Sequence, residues 1–384
     1  MLGYLRKIHW GFVLLYFLPL CLVYWATLNN NFAISTPLNT LILRSRGLFI
    51  LLVTGVGWMM MGNKPISSSV KKALILSCYM LFVTVFSDGK INIATLAIVL
   101  FWSITFYISE KSVVNSEDIG VLAFIAAVVC NFMAWDVIRY YPMLSFMGHL
   151  EHEQMVAASN SIYYVMSSCI FIFLIKNNIV KILLMLMPCV AFLIVGKSTC
   201  LLAVSVSILY YIRHLIINSK NRFWIIAFLV ISILVAINFN SELIDIEETL
   251  FGFGEDVDSG GNGRKEIWMS VLRKFSTSDV GQILMGHGSQ GVSKAISLGG
   301  HNDFIEVLYD FGLVGLFLYF AFWWSLLRRS TDYKKGTDMQ SAYIVSLIVY
   351  ATASMFSNFI NAQIEMLFFV MFWGITYVQK TRTK

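Results

Sequence analysis

The sequence predicts an all-α integral membrane protein with about twelve transmembrane helices and one large loop outside the membrane that contains short helices. Three observations carry this. Charged residues are only 13% of 384 against 58% apolar, and the mean hydropathy is +0.73; a soluble domain carries about 25% charged residues. The apolar residues are gathered into long runs divided by short polar turns. Lys and Arg then favour alternate turns.

In chain order, Arg6 and Lys7 precede an apolar run from about Trp10 to Leu28. A secretory signal has an apolar core of about 7–15 residues, so this longer run reads as an uncleaved first span. A loop around Asn29–Thr40 leads to a second span at about Gly47–Met61, and a turn with Lys64, Lys71 and Lys72 follows. Further spans fall at about 73–86, 91–108, 119–138, 159–175, 179–196, 198–217, 223–239, 307–327, 341–357 and 364–378. Several are short against the roughly 20 residues a bilayer core requires. The expected division is helices one to nine over 1–239, the large loop over 240–303, and helices ten to twelve over 304–384.

With both termini inside, the inner segments hold 18 of the 28 Lys and Arg residues. The short outer turns hold only Arg44, Arg46, Lys90, Arg139 and Lys197. This is the bias expected of cytoplasmic loops, and an even span count closes consistently. The basic residues stand singly or in pairs at the ends of apolar runs, which excludes a nucleic-acid partner. All six cysteines lie in apolar segments, so they read as small apolar filler, with no disulfide framework or thiolate metal site.

The segment from about Asn240 to Asn302 is chemically distinct. Half of the 22 acids fall between Glu242 and Glu306, with His287, His301 and many glycines. Arg264 to Phe275 places apolar residues at 267, 268, 271, 272 and 275, a surface helix whose one apolar face suits it to lie on the membrane. His301-Asn302-Asp303 then returns the chain to apolar sequence. Asp303 and Glu306 read as a helix start, their carboxylates serving the free N–H groups of the first turn.

These stretches resemble the bacterial O-antigen ligase and O-antigen polymerase superfamily, multi-span glycosyltransferases of the GT-C kind. The resemblance rests on Gly261-Asn262-Gly263-Arg264 with Trp268, on Leu284-Met285-Gly286-His287-Gly288, and on Gly300-His301-Asn302-Asp303 with Asp310-x-Gly312-x-x-Gly315. It implies transfer of a glycan from undecaprenyl diphosphate, in the inner membrane and on its periplasmic face. The acceptor is lipid A–core in the ligase branch and a second lipid-linked repeat unit in the polymerase branch. A chain-length regulator protein is a further candidate partner. The resemblance implies no metal and no cofactor, and it assigns catalysis to Arg264 and His301. Where the family has another arginine, at the outer end of a middle span, this chain has Lys197, which lacks the fork geometry of a guanidinium.

The residue types suit that chemistry. A departing diphosphate gains negative charge that fixed cations neutralise, and Arg264, Lys197 and Arg139 are the outward-placed cations. A hydroxyl nucleophile benefits from a base titrating near neutral pH, as histidine does. Arg264 and His301 are therefore the expected catalytic pair; Lys197, Arg139 and Asn302 are the expected diphosphate- or substrate-binding groups. His287 reads as loop surface. His149 and His152, with Glu151 and Glu153, read as a solvated loop rather than a zinc site. Asp256-x-Asp258 reads as a solvated turn, and Asp136 and Glu365 are ionisable groups near span edges. A transporter or flippase of the same lipid-linked glycan is the other function class. It would show internal repeats, broken helices and midplane charges, and no clear repeat is visible. The Lys197 replacement and the divergent spans favour polymerase over ligase.

Overall fold

A computed structural model describes residues 17–32, 36–60, 66–88, 93–112, 116–146, 158–218, 264–357, 359–360 and 363–377. The described residues are helical, without strands. The expected span at 223–239, the loop through Gly263, and His149 to Glu153 lie outside them, as do Asp256 and Asp258.

The helices are α1 (Leu18–Asn31), α2 (Pro37–Met60), α3 (Ser68–Asp88), α4 (Ile93–Ser112), α5 (Ser116–Phe146), α6 (Ile162–Cys169, continuing as a 3-10 turn to Leu174), α7 (Asn178–Val195), α8 (Ser198–Asn218), α9 (Arg264–Ser276), α10 (Val280–Met285), α11 (Gly291–Ile296), α12 (Asp303–Ser330), α13 (Asp338–Phe356) and α14 (Gln363–Thr376). Five stretches are long and apolar enough to cross a membrane: Ser68–Ser87, Ile119–Pro142, Asn178–Val195, Asp303–Ser330 and Asp338–Phe356. Three shorter apolar helices, Ala158–Leu174, Thr199–Arg213 and Met366–Thr376, accompany them.

Burial ranks these helices. From Met366 to Trp373 every residue of α14 is buried, and the helix packs on α4, α6 and α13. A helix apolar on every side belongs at the centre of a bundle. Around it aromatic rings interlock: Phe368 against Tyr24 and Phe171, and Trp373 against Phe322 and Tyr350. By contrast α7 shows Ile182, Leu183, Leu186 and Leu193 to the outside, the lipid-facing pattern of a peripheral span.

At one end of this bundle a charged pair is sealed inside. Arg329 of α12 donates to Glu110 of α4 at 3.2 Å, Ser67 donates to the same carboxylate oxygen at 2.6 Å, and the guanidinium lies 3.8 Å from the Tyr377 ring centroid. The pair ties the ends of four apolar segments together. Removing one partner of a buried pair strands a charge and costs about 3–5 kcal/mol, whereas replacing both can be close to neutral. Arg329→Met is therefore expected to lower the thermal midpoint of the detergent-solubilised protein sharply, and Glu110→Gln with Arg329→Met to recover most of the loss.

Candidate active site

The opposite end is organised by a break in α12. Gly312 has φ +65° and ψ −170°, far from helical values. The carbonyls of Tyr309 and Asp310 are thereby available to another strand of chain, and they accept the N–H groups of His287 at 3.1 Å and Gly288 at 2.8 Å. The backbones touch: a Cβ at Gly312 would stand 2.4 Å from the Leu284 carbonyl oxygen, and one at Gly286 2.2 Å from the Asp310 carbonyl oxygen. Tyr79 of α3 donates its hydroxyl to the Phe311 carbonyl at 3.1 Å, and Asp310 accepts the N–H of Val292 at 2.8 Å. The second and third glycine motifs of the sequence are thus the two halves of one backbone joint.

Beyond the break, residues 303–311 fold back over the helix they began. A straight helix would separate residues 303 and 319 by about 24 Å, yet the Tyr319 hydroxyl donates to Asp303 at 3.0 Å and the Phe304 ring lies 5.6 Å from that of Phe320. The other Asp303 oxygen accepts the N–H groups of Phe359 at 2.7 Å and Ile360 at 2.9 Å. The carboxylate therefore joins α12 to the link before α14. It does not cap its own helix, as expected from sequence; Asn302 does that, accepting from Phe304 at 2.9 Å and Ile305 at 3.1 Å. The Asn302 amide nitrogen also donates to the Met355 carbonyl at 2.9 Å, so both ends of this side chain are engaged in fixing the turn. Glu306 likewise reaches back to the Gly300 N–H at 2.7 Å instead of serving the first turn. The Gly300 carbonyl accepts the Trp268 indole N–H at 2.8 Å.

His301 is clamped between these contacts with φ +49°. That region costs an L-residue roughly 1–2 kcal/mol, and the neighbouring hydrogen bonds hold it there. Strain of this kind collects where a side chain must be aimed. The residue as a whole keeps part of its surface open, while its ring is partly sheltered from water. Its pKa is lowered from the ordinary 6.5, first by loss of water around the ring, then by the positive charges of Arg264 and Lys197.

Those two cations come from distant stretches. Arg264 opens α9, and its charge reaches Lys197 and Tyr163 as well as His301. Lys197 lies between α7 and α8, its ammonium donating to the Asn160 side-chain oxygen and standing 4.4 Å from the Tyr163 ring centroid. Burial lowers its pKa to about 8, with the Arg264 charge adding to the fall. The structure thus brings His301, Arg264 and Lys197 together. Arg139 keeps its contacts on α5, over the Tyr140 ring at 5.1 Å and beside Asp136. Asn160 and Tyr163 were missed in the sequence because an Asn and a Tyr in an apolar run carry no signal of their own.

Two other expectations change. The α9 face at Val271 and Phe275 does not lie on a membrane; it packs on α11 and α12 through Val271, Val292 and Tyr309. His287 is no free loop residue: its ring stacks on Tyr309 at 4.3 Å and its Nε2 meets the Ser278 hydroxyl at 2.8 Å. Among the described residues no group of three His, Cys, Asp or Glu side chains is placed to hold a metal.

Fold and site together define a multi-pass α-helical membrane protein with a polar site at the Gly312 end of the bundle. The model of the family described as O-Antigen ligase matches residues 182–320, a stretch that contains Lys197, Arg264, His301 and the whole Gly312 joint. Over that stretch the chain is similar to the O-antigen ligase/polymerase superfamily. No curated protein matches it significantly.

The joint predicts a large effect from one methyl group. Gly312→Ala combines the left-handed φ with the 2.4 Å approach to Leu284, and is expected to cost more than about 1 kcal/mol. Gly55→Ala, at a helical position with nothing within 4 Å of the new atom, is expected to be neutral or stabilising. Thermal unfolding of the two purified variants checks this.

Proposed function

We propose that the protein is a surface-polysaccharide polymerase, a metal-independent GT-C-type glycosyltransferase that joins undecaprenyl-diphosphate-linked repeat units. The reading carries twelve spans, both termini on the cytoplasmic side of the inner membrane, and the loop over 240–303 in the periplasm. The observation that supports it best is the convergence of His301, Arg264 and Lys197 inside the family-matched stretch. Two cations beside a base that is neutral at pH 7 are what transfer from a lipid diphosphate requires.

In the proposed step the acceptor hydroxyl oxygen bonds to the donor sugar's anomeric carbon. The bond from that carbon to the diphosphate oxygen breaks, and its electron pair leaves with the diphosphate. Arg264 and Lys197 neutralise the charge that develops there, and His301 takes the hydroxyl proton and later releases it to water. Tyr163 and Asn160 hold the Lys197 ammonium in place, supplying the direction that a lysine lacks by itself. Asn302 serves by holding the turn.

A ligase that transfers the glycan to lipid A–core is the second reading, favoured by the description of the matching family. The lipopolysaccharide ladder of a deletion strain separates the two. Core bearing a single repeat unit supports the polymerase; bare core, with long glycan still on undecaprenyl diphosphate, supports the ligase; an unchanged ladder contradicts both for that glycan. In complemented strains and purified protein, His301→Ala is expected to lower the rate by roughly 10²–10⁴, and full activity would remove His301 from the mechanism.

The pH profile follows from the two shifted groups. Because the His301 pKa is lowered, the base form persists below pH 6.5, and the acid limb of the rate is expected under that value. Because Lys197 titrates at about 8, loss of its charge is expected to give an alkaline limb there, moved to higher pH in Lys197→Arg.

A further inference from the structure

Helix α10 is apolar at Val280, Ile283, Leu284 and Met285, four of its six residues, yet none of its residues is buried. Val280 is 72% exposed and Leu284 45%. Leaving such a helix in water forgoes about 25 cal/mol for each Å² of apolar surface that a partner would cover. Its position names the partner. Leu284 lies against the backbone of Gly312, the Met285 carbonyl faces the Tyr79 hydroxyl at 3.5 Å, and the Ser289 N–H donates to the Thr84 hydroxyl at 3.3 Å. Thus α10 rides on the heads of α3 and α12.

Both of those helices have span length and composition, and each turns an apolar stripe outward at helical spacing. On α3 the stripe ends with Phe82 and Phe86; on α12 it begins with Leu313 and runs through Phe317 and Phe320. Stripes of this kind on spanning helices face lipid chains. Helix α10 packs on the head of α12, and its last residue and the turn after it meet α3. Asp279 stands at the N-cap of α10, one residue before Val280.

We propose that α10 is an interfacial wedge whose Val280, Leu284 and Met285 side chains lie in the bilayer against lipid chains. The Gly312 joint then sits at the membrane boundary, and Leu313–Ser330, about 27 Å of helix, is the part of α12 that crosses a hydrocarbon core of about 30 Å. The wedge anchors the loop helices, with Arg264 on α9, and the turn of His301 to the membrane surface. It is independent of which reaction the site performs.

The test is photo-crosslinking in the full-length protein in its own membranes, with p-benzoylphenylalanine replacing Leu284 or Met285. Phe317 is the lipid-facing reference and Lys294, exposed on α11, the polar one. Phospholipid adducts are expected at 284 and 285 as at 317, and their loss is expected at 294. Where the bulky residue prevents folding, photo-methionine at 285, read by peptide mapping, gives the same answer with an almost isosteric side chain. Absence of lipid adducts at 284 and 285, or adducts there to residues 219–263 of this chain or to another protein, overturns the proposal.

Discussion

The reversed φ of Gly312 is the constraint on which this end of the molecule depends. A continuous helix from Asp303 to Ser330 would spend the carbonyls of Tyr309 and Asp310 on its own next turn. The break leaves them to His287 and Gly288, and so joins the loop helices to the bundle by backbone hydrogen bonds, to which Tyr79 and Asp310 add side-chain ones. It also turns residues 303–311 back, which delivers Asp303 to Tyr319 and to the N–H groups of Phe359 and Ile360. Both results follow from one dihedral angle that only glycine adopts cheaply.

What the joint holds is a cationic site assembled from three remote parts of the chain. Lys197 comes from the turn after α7, Arg264 from the first residue of α9, and His301 from the turn before α12. Lys197 and the turn of His301 are held by neighbours outside the trio. Asn160 and Tyr163 hold Lys197; the Trp268 and Glu306 contacts to Gly300 hold the turn of His301. The pKa values of His301 and Lys197 are lowered first by burial, and the neighbouring positive charge adds to the fall. An anion placed beside these groups would favour their charged forms.

The sequence made the helical class plain because hydropathy and the placement of Lys and Arg follow directly from the bilayer as solvent. The ends of α7, α8, α13 and α14 fall within a few residues of their expected places for the same reason. Arg264, Lys197 and His301 were singled out as polar residues expected on the outer face, and the resemblance implied catalysis for two of them; the structure brings the three together. Their neighbours were not legible. Asp303 and Glu306 looked like first-turn acids because spacing along one helix says nothing of a backbone 50 residues away. The apolar face of α9 looked membrane-bound because periodicity shows that a face is covered and not by what. The fold-back at Gly312 was hidden in a glycine pair that also suits an unbroken span, and a broken helix was expected of a transporter rather than of an enzyme.

The central claim is that Arg264 and Lys197 act as one anion-binding unit beside His301. A double-mutant cycle on the affinity of the purified protein for undecaprenyl diphosphate tests it most directly, with Lys294→Ala as the surface-charge control. The account predicts that Arg264→Ala and Lys197→Ala each weaken binding, that the double variant departs from the sum of the two, and that the control is unchanged. Strictly additive losses, or binding indifferent to both substitutions, would contradict it.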